Sequence, residues 1–252
     1  MRPRSAILIA AALLYIISAY VPFGHEALYP LTLFTTWVHE MGHGLTALVL
    51  GGQFDHLEIY RNAGGLAYAF AKPGWQEAAV AAGGLLAPPL VGALILAIVH
   101  GPRRARSCLG FFAAALVLSM AVYVRTPVGI ASMSVVALAL AFAAWRAAPD
   151  HCVILAQVLA VVLALDTVTR MIGYAFMSHV ELNGQNDRSD AGSIADNLGG
   201  PVFVWGIVIT VLALAMLAAG LWLAWRQPRF LRSSSAARRR ASSASKPDSL
   251  GS

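Results

Sequence analysis

The chain has 252 residues, of which 58% are hydrophobic and 12% are charged, and its formal net charge is +6. Soluble domains carry roughly 45–50% apolar and about 25% charged residues, whereas the mean hydropathy of this chain is +0.68. So few charges exclude an ordinary water-soluble globular domain. They predict a protein embedded in a lipid bilayer.

Seven apolar segments follow one another along the chain, and a membrane-spanning helix needs about 20 mainly apolar residues. Backbone polar groups in lipid must pair within their own segment, so we expect helices. The predicted fold class is therefore all-α, a polytopic transmembrane helix bundle of six or seven spans. The predicted segments are residues 5–21, 28–50, 77–99, 108–124, 128–145, 152–177 and 202–225.

The first segment follows two arginines and resembles a secretion signal in that respect. A signal peptide ends in small residues at its cleavage site, but Tyr20-Val21-Pro22-Phe23 stands here instead. We therefore predict that this segment is retained as the first span.

The second segment contains His39-Glu40-Met41-Gly42-His43. Side chains at i and i+4 share one face of a helix, so both imidazoles can bind one ion. This is the H-E-x-x-H signature, in which two histidines bind Zn²⁺ and the glutamate is the general base. Ionisable groups inside an apolar segment are costly and mark function. The pattern predicts a zinc metalloprotease with Glu40 as catalytic base; a polar core in which the three side chains satisfy one another is the alternative.

A stretch with strand character follows the second segment. Residues 53–60 alternate partly between polar and apolar, residues 61–65 have turn chemistry, and residues 66–70 resemble a strand. The pattern predicts a short β-hairpin after the second span. From the residues alone, such a hairpin merely connects two spans.

Two glycines and two prolines interrupt the third segment: Gly83, Gly84, Pro88 and Pro89. Glycine permits close helix contact and proline removes a backbone donor, so we expect a loosened or kinked helix. The two interpretations are helix packing and a flexible gate for substrate.

Basic residues predict the orientation. Arg103, Arg104 and Arg106 lie in one short connection, and further arginines crowd the C-terminal tail. The positive-inside rule puts both on the cytoplasmic side of the cell inner (plasma) membrane, and seven spans then place the N-terminus outside. Arg2 and Arg4 favour the cytoplasm instead, and a re-entrant early segment is the alternative that would place them there. We divide the chain into a membrane domain, residues 1–231, and a disordered basic tail, residues 232–252. We expect that tail to contact anionic lipid rather than nucleic acid.

A catalytic zinc usually has three protein ligands and one open position, so the chain must supply a third ligand. Asp166 lies near the middle of its segment, at the depth of the two histidines, although an ion pair with Arg170 at i+4 also explains it. Asp190 lies in the polar stretch 183–197, which must fold back into the membrane to reach the metal. A solvated acidic loop is the other explanation of that stretch. The residues alone favour Asp166 over Asp190, and both aspartates remain candidates.

The sequence resembles the site-two protease class of intramembrane zinc peptidases, and specifically its bacterial M50B-like branch. The wider class completes its site with an aspartate in a Leu-Asp-Gly motif, and Leu165-Asp166-Thr167 lacks that glycine. Ser189-Asp190-Ala191 is closer to the pattern of the branch. The residues that carry the resemblance are His39-Glu40-Met41-Gly42-His43-Gly44, Gly51-Gly52, Gly64-Gly65, Gly83-Gly84-Leu85-Leu86-Ala87-Pro88-Pro89, Ser189-Asp190-Ala191 and Gly200-Pro201.

The resemblance implies hydrolysis of peptide bonds in membrane protein substrates by a zinc-activated water. It also implies that the hairpin presents an edge to an unwound substrate by strand addition, as an alternative to merely connecting two spans. Two other functions are consistent with the residues: a non-catalytic zinc-binding scaffold or regulator of membrane proteins, and a metal transporter. Transport requires several metal sites along a route, and the sequence offers one cluster.

Overall fold

The computed structural model of the protein describes residues 3–18, 21, 28–174, 177–182 and 185–226. Within these residues the chain forms eight helices and two separate antiparallel hairpins. The helices are α1 Pro3–Ser18, α2 Tyr29–Val49, α3 Trp75–Ile98, α4 Pro102–Val122, α5 Pro127–Arg146, α6 Pro149–Tyr174, α7 Asp190–Leu198 and α8 Val202–Arg226. The strands are β1 Gln53–Ile59, β2 Gly65–Phe70, β3 His179–Leu182 and β4 Gln185–Arg188.

Five of these helices, α3, α4, α5, α6 and α8, are long and apolar enough to cross a membrane. Many large apolar side chains on them face outward, as lipid-facing surfaces do, among them Phe111, Leu138, Phe142 and Ile207. α1 has 16 residues, and α2 has 21 but carries buried polar side chains. The protein is therefore a helical membrane bundle, as the composition predicts.

Each of the seven predicted apolar segments is a helix, and the ends differ from the prediction by a few residues. The predicted hairpin is present as β1 and β2, paired from Gln53 with Phe70 to Ile59 with Gly65. The solvated loop considered for residues 183–197 is wrong, because β4 and α7 occupy most of that stretch. The basic tail, residues 232–252, lies outside the described residues.

α2 and α3 pack closely and antiparallel, because glycines bring their backbones together. Gly42 lies against the backbone of Gly83 and the side chain of Ala87, and Gly83 lies against Thr46. A side chain at either glycine would overlap the neighbouring helix. Small residues permit such approach in membranes, so the packing role predicted for Gly83 is present in the structure.

α3 continues through Pro88 and Pro89. Pro89 has no backbone N–H to donate to the carbonyl of Leu85, four residues earlier. The hydroxyl of Thr167 on α6 donates to that carbonyl instead, at 2.6 Å. A neighbouring helix therefore supplies the hydrogen bond that the proline removes.

The first hairpin packs along α2. The ring of Phe54 in β1 lies against Gly44, and Gly65 at the start of β2 lies against Thr36 and Glu40. The outer edge of β1 is occupied, because the backbone of Leu57 hydrogen-bonds to the segment between α4 and α5. Among the described residues, the outer edge of β2 pairs with no strand.

Candidate metal centre

His39 and His43 lie one turn apart on the buried face of α2. Their Nε2 atoms are 3.2 Å apart, and the two rings meet edge to face. Gly84 of α3 lies directly against the ring of His43, so that a side chain at position 84 would overlap the imidazole. The helical spacing that the motif predicts is therefore realised inside the bundle.

Asp190, the first residue of α7, brings its carboxylate to both rings. Its Oδ2 atom lies 3.1 Å from His39 Nε2, and its Oδ1 atom lies 3.4 Å from His43 Nε2. These three side chains can each offer one ligand atom, and the atoms lie within 4.8 Å of one another. The structure thus folds the polar stretch before α8 back to the helix that carries the motif.

Several hydrogen bonds hold α7 in place. Ser189 caps its N-terminus: the hydroxyl accepts from the N–H of Gly192 at 3.0 Å and donates to the carbonyl of Met177 at 2.7 Å. At the other end, the side-chain oxygen of Asn197 accepts from the N–H of Gly74 at 2.7 Å. Asp190 is therefore carried by a short helix fixed at both ends.

The three donor groups lie close enough together to share one metal ion. Zinc bonds of about 2.0–2.1 Å to nitrogen and oxygen separate neighbouring tetrahedral ligand atoms by roughly 3.3–3.4 Å. The two Nε2 atoms are 3.2 Å apart, and a different oxygen of Asp190 approaches each of them, Oδ2 at 3.1 Å from His39 and Oδ1 at 3.4 Å from His43. The Nδ1 atom of His43 lies 2.9 Å from the carbonyl of Val80, which can only accept. That partner assigns the hydrogen to Nδ1 and leaves the Nε2 lone pair for a metal. The donor set therefore fits zinc.

Glu40 is buried beside the cluster but is not one of its three donors. A side chain added to Gly65 would have its Cβ atom 2.9 Å from Glu40 Oε1. The start of β2 therefore lies directly against the carboxylate. This contact places the carboxylate of Glu40, the residue next to His39, against the hairpin.

Asp166 lies at a depth similar to that of the histidines, because Thr167 next to it bonds to Leu85 and Leu85 is adjacent to Gly84. Its side chain, however, belongs to another cluster: Oδ1 accepts from the hydroxyl of Tyr15 at 2.6 Å, and Oδ2 accepts from Nε of Arg170 at 2.8 Å. The ion pair with Arg170 that the sequence offers as an alternative is thus formed. Of the two candidate aspartates, only Asp190 joins the histidines within the described residues.

Sequence reasoning missed Ser189, which caps the helix that carries Asp190, and it also missed Tyr15 and Thr36, which belong to the separate cluster around Asp166. Ser189 followed by an acidic residue is a typical start of a helix and was a local signal for α7. Tyr15 and Thr36 gave no such signal, because their partners lie far away in the sequence.

A family model described as Peptidase M50B-like matches residues 6–220, which is most of the chain. The fold and the match together define a membrane protein of a metallopeptidase-like class. The chain belongs to the Peptidase M50B-like family, and its resemblance to the site-two protease class is thereby confirmed. No curated protein and no solved structure matches it.

Proposed function

We propose that this protein is an intramembrane zinc metalloprotease that hydrolyses peptide bonds of membrane protein substrates. One observation carries the proposal: the convergence of His39, His43 and Asp190 on one point, with the buried carboxylate of Glu40 beside them. Membership of the Peptidase M50B-like family supports the same chemistry.

The proposed zinc ligands are His39, His43 and Asp190, and Asp166 is assigned to the neighbouring cluster. Bound there, zinc would supply a Lewis acid and a water of lowered pKa for attack on a carbonyl. The hydrogen bond from His43 Nδ1 to Val80 supports this assignment, since ligating histidines typically donate their other N–H in this way.

Glu40 is the proposed general base. It follows the first ligand directly and is buried next to Gly65. Its carboxylate would accept a proton from the attacking water and pass it to the leaving amine. Its side chain is not in the group of possible metal ligands, which keeps it available for this transfer.

The open edge of β2 is the proposed docking site for substrate. That edge begins beside Glu40 at Gly65 and, among the described residues, pairs with no other strand. An extended segment added to it would form backbone hydrogen bonds and present its amides to the site. A membrane helix must unwind locally to bind in this way, so substrates with helix-breaking residues in their span are favoured.

The test is to compare the wild type with Glu40→Gln for zinc content and for cleavage of a single-span reporter carrying a Gly-Pro pair in its span. We expect both proteins to bind one zinc per chain and only the wild type to cleave. Glu77→Gln makes the same chemical change at an exposed position at the start of α3 and should cleave normally.

Other outcomes contradict the proposal. Purified wild-type protein without zinc would exclude the metal centre. Zinc binding with no cleavage by the wild type would instead support a non-catalytic zinc-binding scaffold or regulator. Cleavage by Glu40→Gln at the wild-type rate would exclude Glu40 as the base.

A further inference from the structure

A buried polar network of Tyr15, Thr36, Asp166 and Arg170 lies next to the candidate metal centre and takes no part in it. Tyr15 donates to Asp166 at 2.6 Å, and Nε of Arg170 donates to the same carboxylate at 2.8 Å. Nη2 of Arg170 donates to the hydroxyl of Thr36 at 3.1 Å. These bonds connect α1, α6 and α2.

The network ends on the turn of the first hairpin. The hydroxyl of Thr36 donates to the carbonyl of Ala63 at 2.8 Å. Ala63 has a φ of 60°, a left-handed conformation that is unfavourable for a residue with a side chain. Such a conformation persists only where surrounding contacts impose it. The bond from Thr36 is one of these contacts.

Thr36 and Glu40 are separated by one helical turn and face the same way. Gly65, two residues after Ala63, contacts both of them. If the hairpin turn at Ala63 moved relative to Thr36, the start of β2 at Gly65 would therefore also move relative to Glu40. The position of the β2 edge relative to the general base depends on this network.

Stability alone gives a poor account of the network. A buried ion pair can often be replaced by apolar side chains without loss of stability, and ionisable groups at membrane depth mark function. A lysine at position 170 could pair with Asp166. It lacks the planar guanidinium, whose several fixed N–H groups let Arg170 bond to Asp166 and Thr36 together. Arginine at position 170 makes both contacts, to Asp166 and to Thr36, at once.

We propose that Arg170 is a positioning residue that, through Thr36 and Ala63, fixes the start of β2 against Glu40 and thereby sets which peptide bond of a bound strand is cut. This inference rests on the proposed protease function and on docking of substrate at the β2 edge. Arg170 acts through Thr36 and Ala63 and is not itself assigned contact with the substrate.

The experiment compares Thr36→Val, which deletes the hydroxyl at nearly constant volume, with Thr36→Ser, which keeps it. Arg170→Lys tests the other end of the same contact. Thr32→Val is the matched control, because among the described residues the hydroxyl of Thr32 donates to the carbonyl of Leu28, just before α2, and takes no part in the network. Each full-length protein is assayed for zinc content, for amide hydrogen exchange in residues 62–70, and for cleavage positions in the single-span reporter by mass spectrometry.

We expect Thr36→Val and Arg170→Lys to retain zinc, to exchange faster in residues 62–70 and to cut the reporter at additional neighbouring bonds. Their kcat should fall by about 10- to 100-fold, as for a misplacement of the reacting groups near 1 Å, with a smaller change in KM. Thr36→Ser and Thr32→Val should cut the single wild-type bond. Tyr15→Phe, a milder change at the far end, should give the same additional products in smaller amounts.

An unchanged cleavage position and rate in Thr36→Val, with unchanged exchange of the hairpin, would overturn the inference and leave the protease function intact. Loss of zinc in Thr36→Val would also overturn it, since the network would then support the metal centre instead. If Thr36→Val does not fold, Tyr15→Phe decides: products identical to those of the wild type would overturn the inference. A wild type that binds zinc but cleaves nothing would remove the proposed function and this inference together.

Discussion

Gly84 of α3 lies directly against the imidazole ring of His43 on α2. The Nδ1 atom of the same ring contacts the carbonyl of Val80, one turn earlier on α3, at 2.9 Å. Because both contacts come from α3, the packing of α2 against α3 sets the orientation of one candidate ligand.

We therefore expect Gly84→Ala to weaken zinc binding by at least about 10-fold. The added methyl group would overlap the ring of His43, and disturbing the contacts that orient a ligating histidine typically lowers metal affinity about 10- to 100-fold. Zinc competition with a chelating dye measures the change. Gly110→Ala is the control, because a Cβ there meets no atom within 4 Å. Equal zinc affinity of Gly84→Ala and Gly110→Ala would contradict the prediction and show that His43 still binds zinc when its ring is displaced.

The two aspartates should differ in their effect on the metal. Asp190→Asn should lower zinc affinity by more than about 100-fold, beyond the loss usual for residues around a metal site. Asp166→Asn should retain one zinc per chain, because its partners are Tyr15 and Arg170. Elemental analysis of the purified variants tests this, and loss of zinc in Asp166→Asn alone would reverse the assignment.

The bond from Thr167 to Leu85 should contribute measurably to stability. Thr167→Val would leave the carbonyl of Leu85 without its partner, and hydrogen bonds between membrane helices contribute about 0.6–1.7 kcal/mol. We expect a loss of this size in the free energy of unfolding in detergent, and little loss in Thr167→Ser. A Thr167→Val protein as stable as the wild type would mean that the carbonyl finds another donor.

Sequence reasoning was sufficient where the relevant contacts are local. The helices follow from runs of apolar residues, and the pairing of His39 with His43 follows from their spacing of four. Asp190 could not be selected, because its approach to His39 depends on how β3, β4 and α7 fold back over the bundle. The composition of that stretch resembles a solvated loop, and only the cap at Ser189 indicates a helix.

Ser189 should affect the metal through the helix that it caps. Ser189→Ala removes the acceptor for Gly192 and the donor to Met177, and loss of such a cap typically costs about 0.5–2 kcal/mol. We expect weaker zinc binding with an unchanged ligand set, measured by the same competition assay. Ser193→Ala, on the same short helix but less buried, should bind zinc as the wild type does.

The orientation of the bundle predicts opposite accessibility for two exposed basic residues. Lys72 precedes α3 and Arg103 lies at the start of α4, so one membrane crossing separates them. The positive-inside rule assigns Arg103 to the cytoplasm. In a background without Cys108 and Cys152, an impermeant maleimide should label Lys72→Cys on intact cells and Arg103→Cys only after permeabilisation. The reverse pattern would invert the assigned topology.

The separation of the candidate ligands along the chain has a consequence for biosynthesis. His39 and His43 emerge from the ribosome early, whereas Asp190 follows almost 150 residues later. At about 5–20 residues per second, that interval lasts roughly 7–30 s. During this time a nascent chain would hold only a two-histidine half-site. If the protein is the protease proposed above, hydrolysis could begin only after Asp190 has reached the bundle, and this delay would protect the translocation machinery and neighbouring nascent proteins from premature cleavage.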